Sequence, residues 1–285
     1  MIKVGFNLLA WSAVVSDDLM PVTEKLKGIG YEGIECFVGA SEDKAYKRLG
    51  DHVRNNLNME VTCVTTLGPD ENPISPSAQI RLKGLDRLKW AIDRAHDMNA
   101  EFLCGPFHSA FATFANKAPE EQEYEWSAEV LSAAGDYAAQ AGIMLTPEAV
   151  NRFECYLCNT MEQLVNLVQR VGHPNVRAHF DTHHANIEEK KMAEAIHKVA
   201  PVLGHVHISE SDRGTPGEGQ ALWDEAFATL AEIEYDGWLT IEAFTRNDPD
   251  FANSINVWRE YSQPWDVAEK GFSFIKEMCN KHGLK

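Results

Sequence analysis

The stretch that decides the fold is VRAHFDTHHANIEE, residues 176–189, in which a short strand-like segment runs directly into polar side chains. Apolar and polar residues alternate from Val176 to Asp181, as in a β-strand whose two faces meet different surroundings. One aspartate and three histidines lie within six positions, namely His179, Asp181, His183 and His184. The cluster fits a metal site, an acid/base site or a polar loop rich in histidine, and the rest of the chain decides among these.

A short strand followed by a longer helical stretch occurs eight times along the chain. The predicted strands are KVGFNLL, YEGIECFV, EVTCVTT, EFLCGPF, IMLTPEAV, VRAHFDT, LGHVHIS and LTIEAF. Helical periodicity marks segments such as SAQIRLKGLDRLKWAIDRAHDMN, WDEAFATLAEIEYDG and WDVAEKGFSFIKEMCNKHG, and the predicted helix ends include Gly30, Gly142, Gly172 and Gly237. Strict alternation predicts parallel strands, and eight units in 285 residues fit a closed (β/α)8 TIM barrel. We expect residues 1–285 to form a single TIM-barrel domain.

The composition excludes several classes of protein. There are 43 acidic and 26 basic residues, and the net charge of −17 disfavours nucleic acid as a partner. No apolar run is long enough to span a membrane, and the opening residues lack the pattern of a signal peptide. We therefore expect a cytoplasmic protein with no membrane partner.

Cys155 and Cys158 form a C-x-x-C pair among six scattered cysteines. Such a pair fits a redox couple, half of a zinc site or a coincidence. Coincidence is favoured because no second C-x-x-C exists and this pair does not open a helix after a strand.

Strand alternation brings four candidate ligands to one rim of the predicted barrel. In the last four strands the apolar face suits contact with helices, so the opposite face, which carries Glu148, Asp181, His207 and Glu242, points inward. These residues are separated by 33, 26 and 35 positions, roughly one βα unit of about 30 residues each. Active sites of such barrels lie at the C-terminal ends of the strands. The four side chains are therefore predicted to surround one point.

Three carboxylates and one imidazole form an oxygen-rich site that suits a divalent cation. Mn²⁺ is the predicted cation, with Co²⁺ or Mg²⁺ as alternatives, because zinc more often recruits sulfur or further histidines. The alternative is a set of buried polar residues that satisfy one another. His184 is predicted to contact substrate from a loop after the sixth strand, whereas His179 and His183 are expected to be local hydrogen-bonding groups.

Four segments resemble the D-tagatose 3-epimerase and D-allulose (D-psicose) 3-epimerase family of ketose 3-epimerases. They are PEAVNRFECYLCNT, FDTHHANIEE, GHVHISESDRGTPGEGQALWDEAF and EYDGWLTIEAF. The resemblance covers nearly the whole chain and is densest over residues 147–245. It implies that Glu148, Asp181, His207 and Glu242 bind the divalent metal. It also implies that Glu154, His184 and Arg213 hydrogen-bond the C1 to C3 end of the sugar, and that the protein is a homodimer or homotetramer.

The N-terminal segment FNLLAWSAVV departs from the family by being less aromatic. Phe6 and Trp11 remain candidates for the wall of the sugar pocket, whereas Asn7 and Val15 make it less aromatic. The segment GPFHSAF after the fourth strand is also unusual. The preferred ketose is therefore not fixed by the resemblance.

The implied reaction is reversible inversion at C3 of a free ketose through a cis-enediolate. Candidate pairs are D-tagatose/D-sorbose and D-fructose/D-allulose, and ketopentoses such as L-ribulose are further candidates. Glu148 and Glu242 are the expected acid and base on opposite faces. Alternatives are a related sugar isomerase, an inosose- or 3-keto-sugar-processing enzyme, a metallonuclease of the endonuclease IV type, and a sugar-binding subunit. A phosphorylated substrate is disfavoured because Glu218 lies in the GTPGEG loop.

Overall fold

Eight short parallel strands lie side by side in the computed structural model, which describes residues 1–39 and 41–285. They are β1 (Lys3–Asn7), β2 (Gly33–Phe37), β3 (Glu60–Val64), β4 (Phe102–Gly105), β5 (Met144–Pro147), β6 (Ala178–Asp181), β7 (Leu203–Ile208) and β8 (Trp238–Ile241). The order in the sheet is β5-β4-β3-β2-β1-β8-β7-β6. Two parallel bridges, Leu145 to Val176 and Glu148 to His179, join the two ends. The sheet thus closes into the predicted TIM barrel.

Helices follow the strands around the outside of the barrel. In the described part of the chain they are α1 (Met20–Ile29), α2 (Asp43–Asp51), α3 (Ala78–Asp97), α4 (Glu121–Ala141), α5 (Met161–Val171), α6 (Thr182–Glu188), α7 (Met192–Val199), α8 (Trp223–Glu232), α9 (Pro249–Ser254) and α10 (Pro264–His282). None of them is both long and apolar enough to cross a membrane. That residues 1–285 form one domain stays a prediction.

Three of the four predicted helix ends are confirmed. Gly30, Gly142 and Gly172 each follow the last residue of a helix and have positive φ, a conformation that glycine adopts at little cost. The prediction for Gly237 was wrong, because α8 ends at Glu232 and a turn at Glu234 (φ +55°) separates it from β8.

The barrel has an apolar outside and a polar inside. Outward-facing residues such as Val4, Ile34 and Leu103 are fully buried in the core between strands and helices. The inward-facing residues are polar and equally buried, including Asn7, Glu35, Thr62, Thr146, His179, His205 and Thr240. Because buried polar groups are costly unless they are paired, this interior demands hydrogen bonds or bound ions.

Gly105 ends β4 in a conformation that requires glycine. Its φ is +121°, and a Cβ atom built there would lie 2.3 Å from the carbonyl oxygen of Thr65. The carbonyl oxygen of Gly105 also accepts a hydrogen bond of 3.0 Å from the backbone N–H of Glu148. Gly105 therefore helps to place Glu148 at the rim of the barrel.

We predict that Gly105→Ala lowers the free energy of unfolding by about 2 kcal/mol or more, because it adds both backbone strain and a steric clash. Urea unfolding followed by circular dichroism measures the change. Gly28→Ala is the control, since Gly28 lies in helix α1 with nothing near its Cβ position. That variant should gain about 0.5 kcal/mol. Equal stability of the Gly105→Ala variant and the parent would show that position 105 does not require glycine.

Candidate active site

The structure brings the four predicted ligands together at the C-terminal rim of the barrel. Glu148 and Glu242 directly follow β5 and β8, Asp181 ends β6, and His207 lies in β7. One ligand atom of each lies within 4.8 Å of those of the others, and all four side chains are buried. Adjacent strand ends of a parallel barrel produce this convergence, as strand alternation and βα spacing indicated.

Asp181 has two roles, one for each carboxylate oxygen. Its Oδ1 accepts the backbone N–H of His183 at 2.6 Å and that of His184 at 3.2 Å, which caps the N-terminus of α6. Its Oδ2 accepts the hydroxyl of Ser209 at 2.9 Å. The cap orients the carboxylate within the ring. The prediction that a loop follows the sixth strand is wrong, because His183 and His184 lie on this seven-residue helix.

His207 is held by Glu35, a residue that the sequence reasoning missed. The His207 Nε2 lies 2.6 Å from Glu35 Oε1, and both side chains are fully buried. With Nε2 donating to this carboxylate, Nδ1 faces Asp181 Oδ2 at 3.6 Å and Glu242 Oε2 at 3.5 Å. A carboxylate behind a histidine fixes the ring and its tautomer for metal binding through the other nitrogen.

The donor atoms of the ring fit a divalent cation. Glu148 Oε1 and His207 Nδ1 are buried and have no hydrogen-bond partner among residues 1–39 and 41–285. Both belong to the four-residue cluster, and three carboxylates with one imidazole suit a hard or borderline divalent ion. These four residues therefore form a possible metal-binding cluster.

The carboxylates of the ring differ in proton affinity. Burial, together with the negative charges of Glu242 and Asp181, raises the pKa of Glu148 well above its usual value. Burial acts in the same direction on Asp181, but the positive charge of Arg213, together with His184 and His207, outweighs it and holds the pKa of Asp181 well below its usual value. Three carboxylates this close are therefore costly unless a proton or a cation balances their charge.

Arg213 reaches into the ring from the loop after β7. Its Nη1 donates to Asp181 Oδ2 at 3.0 Å and to Glu242 Oε2 at 2.7 Å. The backbone of Arg213 has a φ of +64°, an uncommon conformation for a residue other than glycine. Its guanidinium is therefore a fixed positive charge beside two of the candidate ligands.

His184 presents a protonated nitrogen next to Arg213. The backbone N–H of Asn151 lies 3.1 Å from His184 Nδ1, which must accept it, so the proton of the neutral ring belongs on Nε2. That Nε2 lies 3.5 Å from Glu148 Oε1 and 2.9 Å from Arg213 Nη2. These two donors lie too close together for an acceptor to fit between them, so an oxygen beside the pair, such as a sugar hydroxyl or carbonyl, can accept from both.

Glu154 lies on the loop after β5, half-buried. Its Oε1 accepts the side-chain amide of Asn151 at 2.9 Å, and burial raises its pKa. A salt bridge to Arg152 was the alternative role for Glu154. Arg152 instead pairs with Glu188 at 2.8 Å, which leaves Glu154 beside the site.

The prediction that Phe6 lines the sugar pocket is wrong. On β1 the neighbouring Asn7 points inward, where its amide donates to Glu35 at 2.9 Å and to Glu242 at 3.3 Å. Phe6 therefore points outward, and its ring packs against Tyr31, with 5.4 Å between centroids. Trp11 packs between Phe6 and Trp265 and is 7% exposed, so its place in the pocket wall stays a prediction.

Two histidines that were expected to make local hydrogen bonds differ from each other. His183 does so, with Nδ1 lying 3.1 Å from the carbonyl oxygen of Glu210. His179 does not, because both of its ring nitrogens are buried without a hydrogen-bond partner in the described structure. It faces the barrel interior, with its ring centroid 4.0 Å from that of His207.

The C-x-x-C thiols are free and buried, and within the described residues neither belongs to a cluster of possible metal ligands. Cys155 Sγ instead lies 3.2 Å from the hydroxyl oxygen of Ser109, on the loop that follows β4. Neither role considered for the pair, redox couple or half of a zinc site, has structural support.

The GTPGEG loop has its own internal anion. The Glu210 carboxylate accepts the backbone N–H groups of Gly217 at 2.9 Å and Ala221 at 3.0 Å, and the indole N–H of Trp223 at 2.9 Å. The hydrogen bonds that this carboxylate accepts together lower the pKa of Glu210 by more than burial raises it. Amides that could have bound a phosphate are therefore already occupied.

Comparisons with known proteins point to one family and to sugar epimerases. Residues 23–278 match the family described as xylose isomerase-like TIM barrel. The chain is 28% identical over 270 residues to a D-psicose 3-epimerase of Agrobacterium fabrum, covering 94% of this chain and 93% of that protein. It is 33% identical over 225 residues to an L-ribulose 3-epimerase of Methylomonas sp., covering 78% of each chain. A crystal structure of a Methylomonas D-allulose 3-epimerase in complex with D-allulose superposes with a TM-score of 0.90 at 29% identity, covering 97% of each chain.

We predict that Glu35→Gln weakens Mn²⁺ binding by about 10- to 100-fold, because the amide no longer fixes the tautomer of His207. Titration calorimetry with Mn²⁺ measures the dissociation constant. Glu60→Gln is the control, since Glu60 is a half-exposed carboxylate on β3 that contacts Lys3 rather than a ring residue. Unchanged Mn²⁺ affinity in a folded Glu35→Gln protein would show that Glu35 has no part in metal binding.

Proposed function

This chain belongs to the xylose isomerase-like TIM barrel family, and we propose that it is a metal-dependent 3-epimerase of free ketoses. The relatives described above are sugar epimerases, so the chain is an isomerase. The observation that carries the proposal is the ring of Glu148, Asp181, His207 and Glu242. Binding a sugar does not by itself require a pair of opposed carboxylates such as Glu148 and Glu242. The proposed substrates are D-tagatose/D-sorbose, D-fructose/D-allulose and ketopentoses such as L-ribulose.

The four ring residues are proposed to hold the cation, with Mn²⁺ as the first choice and Co²⁺ or Mg²⁺ as alternatives. A divalent ion held there polarises the C2 carbonyl of a ketose and stabilises negative charge on its oxygens. The site supports this because two of its donor atoms are buried without partners in the described structure.

Glu148 and Glu242 are proposed to move the proton at C3. They come from β5 and β8, which are separated around the barrel by β6 and β7. A planar sugar enediolate lying between them would therefore meet one carboxylate on each face. One residue removes the proton from C3, and the other delivers a proton to the opposite face, which inverts the centre.

His184, Arg213 and Glu154 are proposed to orient the sugar. The Nε2–H of His184 and the guanidinium of Arg213 converge beside the ring and can donate to oxygens on which negative charge develops. The carboxylate of Glu154 accepts hydrogen bonds from sugar hydroxyls at the edge of the site. A free sugar fits better than a phosphorylated one, because the Glu210 carboxylate already accepts the backbone N–H of Gly217 in the GTPGEG loop and that of Ala221 just after it.

The second candidate function is another sugar reaction on the same metal ring, either aldose–ketose isomerisation or the processing of an inosose or 3-keto sugar. It differs in which carbon loses its proton, so the position of isotope exchange separates it from 3-epimerisation. A homodimer or homotetramer in the cytoplasm stays a prediction.

The first test separates a metal ligand from a substrate contact with two matched carboxylate-to-amide changes. Asp181→Asn should lose both bound Mn²⁺ and turnover, because it removes a ring charge. Glu154→Gln should lose turnover by about 100-fold or more and keep its Mn²⁺ content. Elemental analysis and a ketose assay measure the two quantities. Full activity of metal-depleted parent protein, or loss of Mn²⁺ in Glu154→Gln, would overturn these assignments.

The second test locates the reacting carbon. A ketose incubated with the enzyme in heavy water should take up deuterium at C3, because the carboxylate that removes the C3 proton exchanges it with solvent. Nuclear magnetic resonance of the recovered sugar gives the position. Glu148→Gln and Glu242→Gln proteins that retain metal should not epimerise, and each should exchange the C3 hydrogen of one epimer only. Deuterium at C1 with none at C3 favours the isomerase instead.

A further inference from the structure

We propose that the barrel interior binds a second divalent cation, of the zinc class, through Glu35, Cys104 and His205. These residues come from β2, β4 and β7. His205 lies two residues before the ring ligand His207, and Cys104 pairs with Thr146, two residues before Glu148. The second site is therefore one layer deeper in the barrel than the ring, nearer the N-terminal ends of the strands.

The distances among the three side chains match a tetrahedral zinc site. Glu35 Oε2 lies 3.1 Å from His205 Nε2 and 3.6 Å from Cys104 Sγ, and one ligand atom of each residue lies within 4.8 Å of the others. Zinc bonds of about 2.1 Å to nitrogen or oxygen and about 2.3 Å to sulfur place tetrahedral ligand atoms roughly 3.4–3.6 Å apart. Little movement is needed to bring the three donors around an ion.

Buried atoms without partners surround the same point. Neither ring nitrogen of His205 has a hydrogen-bond partner in the described structure, although Nε2 lies 3.1 Å from Glu35 Oε2. The hydroxyl oxygens of Thr146 and Thr240, in the same layer, also lack partners among the described residues. So many unsatisfied groups in one closed layer indicate that something polar is bound there.

The charge of Glu35 favours a cation over water alone. Glu35 is fully buried, and in the described structure its ion-pair contacts are with His205 and His207, with no lysine or arginine within 4.0 Å. A buried carboxylate is costly without an opposite charge nearby. Oε1 contacts His207, whereas Oε2 accepts hydrogen bonds from the Thr62 hydroxyl at 3.0 Å and the Cys104 thiol at 3.6 Å, so the second cation would replace the thiol proton at Oε2.

The donor set predicts a different cation from that of the ring. Thiolate, imidazole and carboxylate together favour zinc, whereas the three carboxylates and one imidazole of the ring favour Mn²⁺ or Mg²⁺. On binding, Cys104 releases its thiol proton to solvent and becomes a thiolate ligand. Glu35 would then connect the two sites, because its Oε2 would bind the second cation while its Oε1 contacts the ring residue His207.

Cobalt substitution tests the second site without relying on enzyme activity. Because the three residues are fully buried, the protein is produced in medium supplied with Co²⁺ so that the metal is present during folding. The parent protein should contain about two cobalt ions per chain and show the near-ultraviolet charge-transfer absorption of a thiolate bound to Co²⁺. Cys104→Ser should lose this absorption and about one cobalt ion per chain.

Cys63→Ser is the matched control. Cys63 is an equally buried thiol on β3, but its Sγ faces Met98 at the end of α3. This variant should keep both the absorption and the cobalt content of the parent. If Cys104→Ser does not fold, His205→Gln replaces it and should also lose the absorption.

The parent measurement decides the matter even if no variant folds. About one cobalt ion per chain with no thiolate absorption overturns the second site and leaves a polar layer filled by water. Absorption that persists in Cys104→Ser also overturns it. Neither result bears on the proposed epimerase, which is tested at the ring by substrate turnover and isotope exchange.

Discussion

The barrel interior must accommodate four buried carboxylates, and the rest of the site depends on how their charge is balanced. Glu35, Glu148, Asp181 and Glu242 all lie inside the barrel and are at most 5% exposed. Within the described structure, the arginine paired with this group is Arg213, and the imidazoles of His179, His184, His205 and His207 also lie within 4.0 Å of these carboxylates. Like charges this close raise one another's proton affinity, as seen at Glu148, unless a cation is bound among them. The interior is therefore built to attract divalent metal.

The parallel barrel places the donor atoms of the ring around one point. Each of four successive strands delivers one donor to the same rim, and local structure then fixes its direction. Asp181 is oriented by capping α6, His207 by the carboxylate of Glu35, and Glu148 by the backbone contact with Gly105. Arg213 and His184 add donors beside the ring. Positioning by backbone and buried neighbours keeps the ring rigid while its centre stays available to a cation and a sugar.

The barrel and its ligand ring could be predicted because both follow from simple periodicities. Alternation along a strand assigns each side chain to the inside or the outside, and βα spacing brings equivalent positions to one rim. The same alternation on β1 would have placed Asn7 inside and Phe6 outside, and on β2 it would have identified Glu35. These errors came from weighing residue type above strand position.

Other features could not be read from the sequence. The seven-residue helix α6 is too short to show helical periodicity, and its start depends on an aspartate that also belongs to the site. The pairing of Glu35 with His207 joins residues 172 positions apart and depends on the closure of the barrel. The proximity of Cys104 and His205 has the same origin. Only the folded barrel supplies such distances across its interior.

The central claim is that one divalent cation sits among Glu148, Asp181, His207 and Glu242 and meets the sugar there. Anomalous diffraction from a crystal of the protein grown with Mn²⁺ and a free ketose tests it most directly. We predict an anomalous peak for one Mn²⁺ ion whose protein ligands are these four side chains. The C2 and C3 oxygens of the sugar should complete the coordination of this ion. Manganese found only outside the ring, or a sugar bound in the barrel with no metal in the ring, would contradict it.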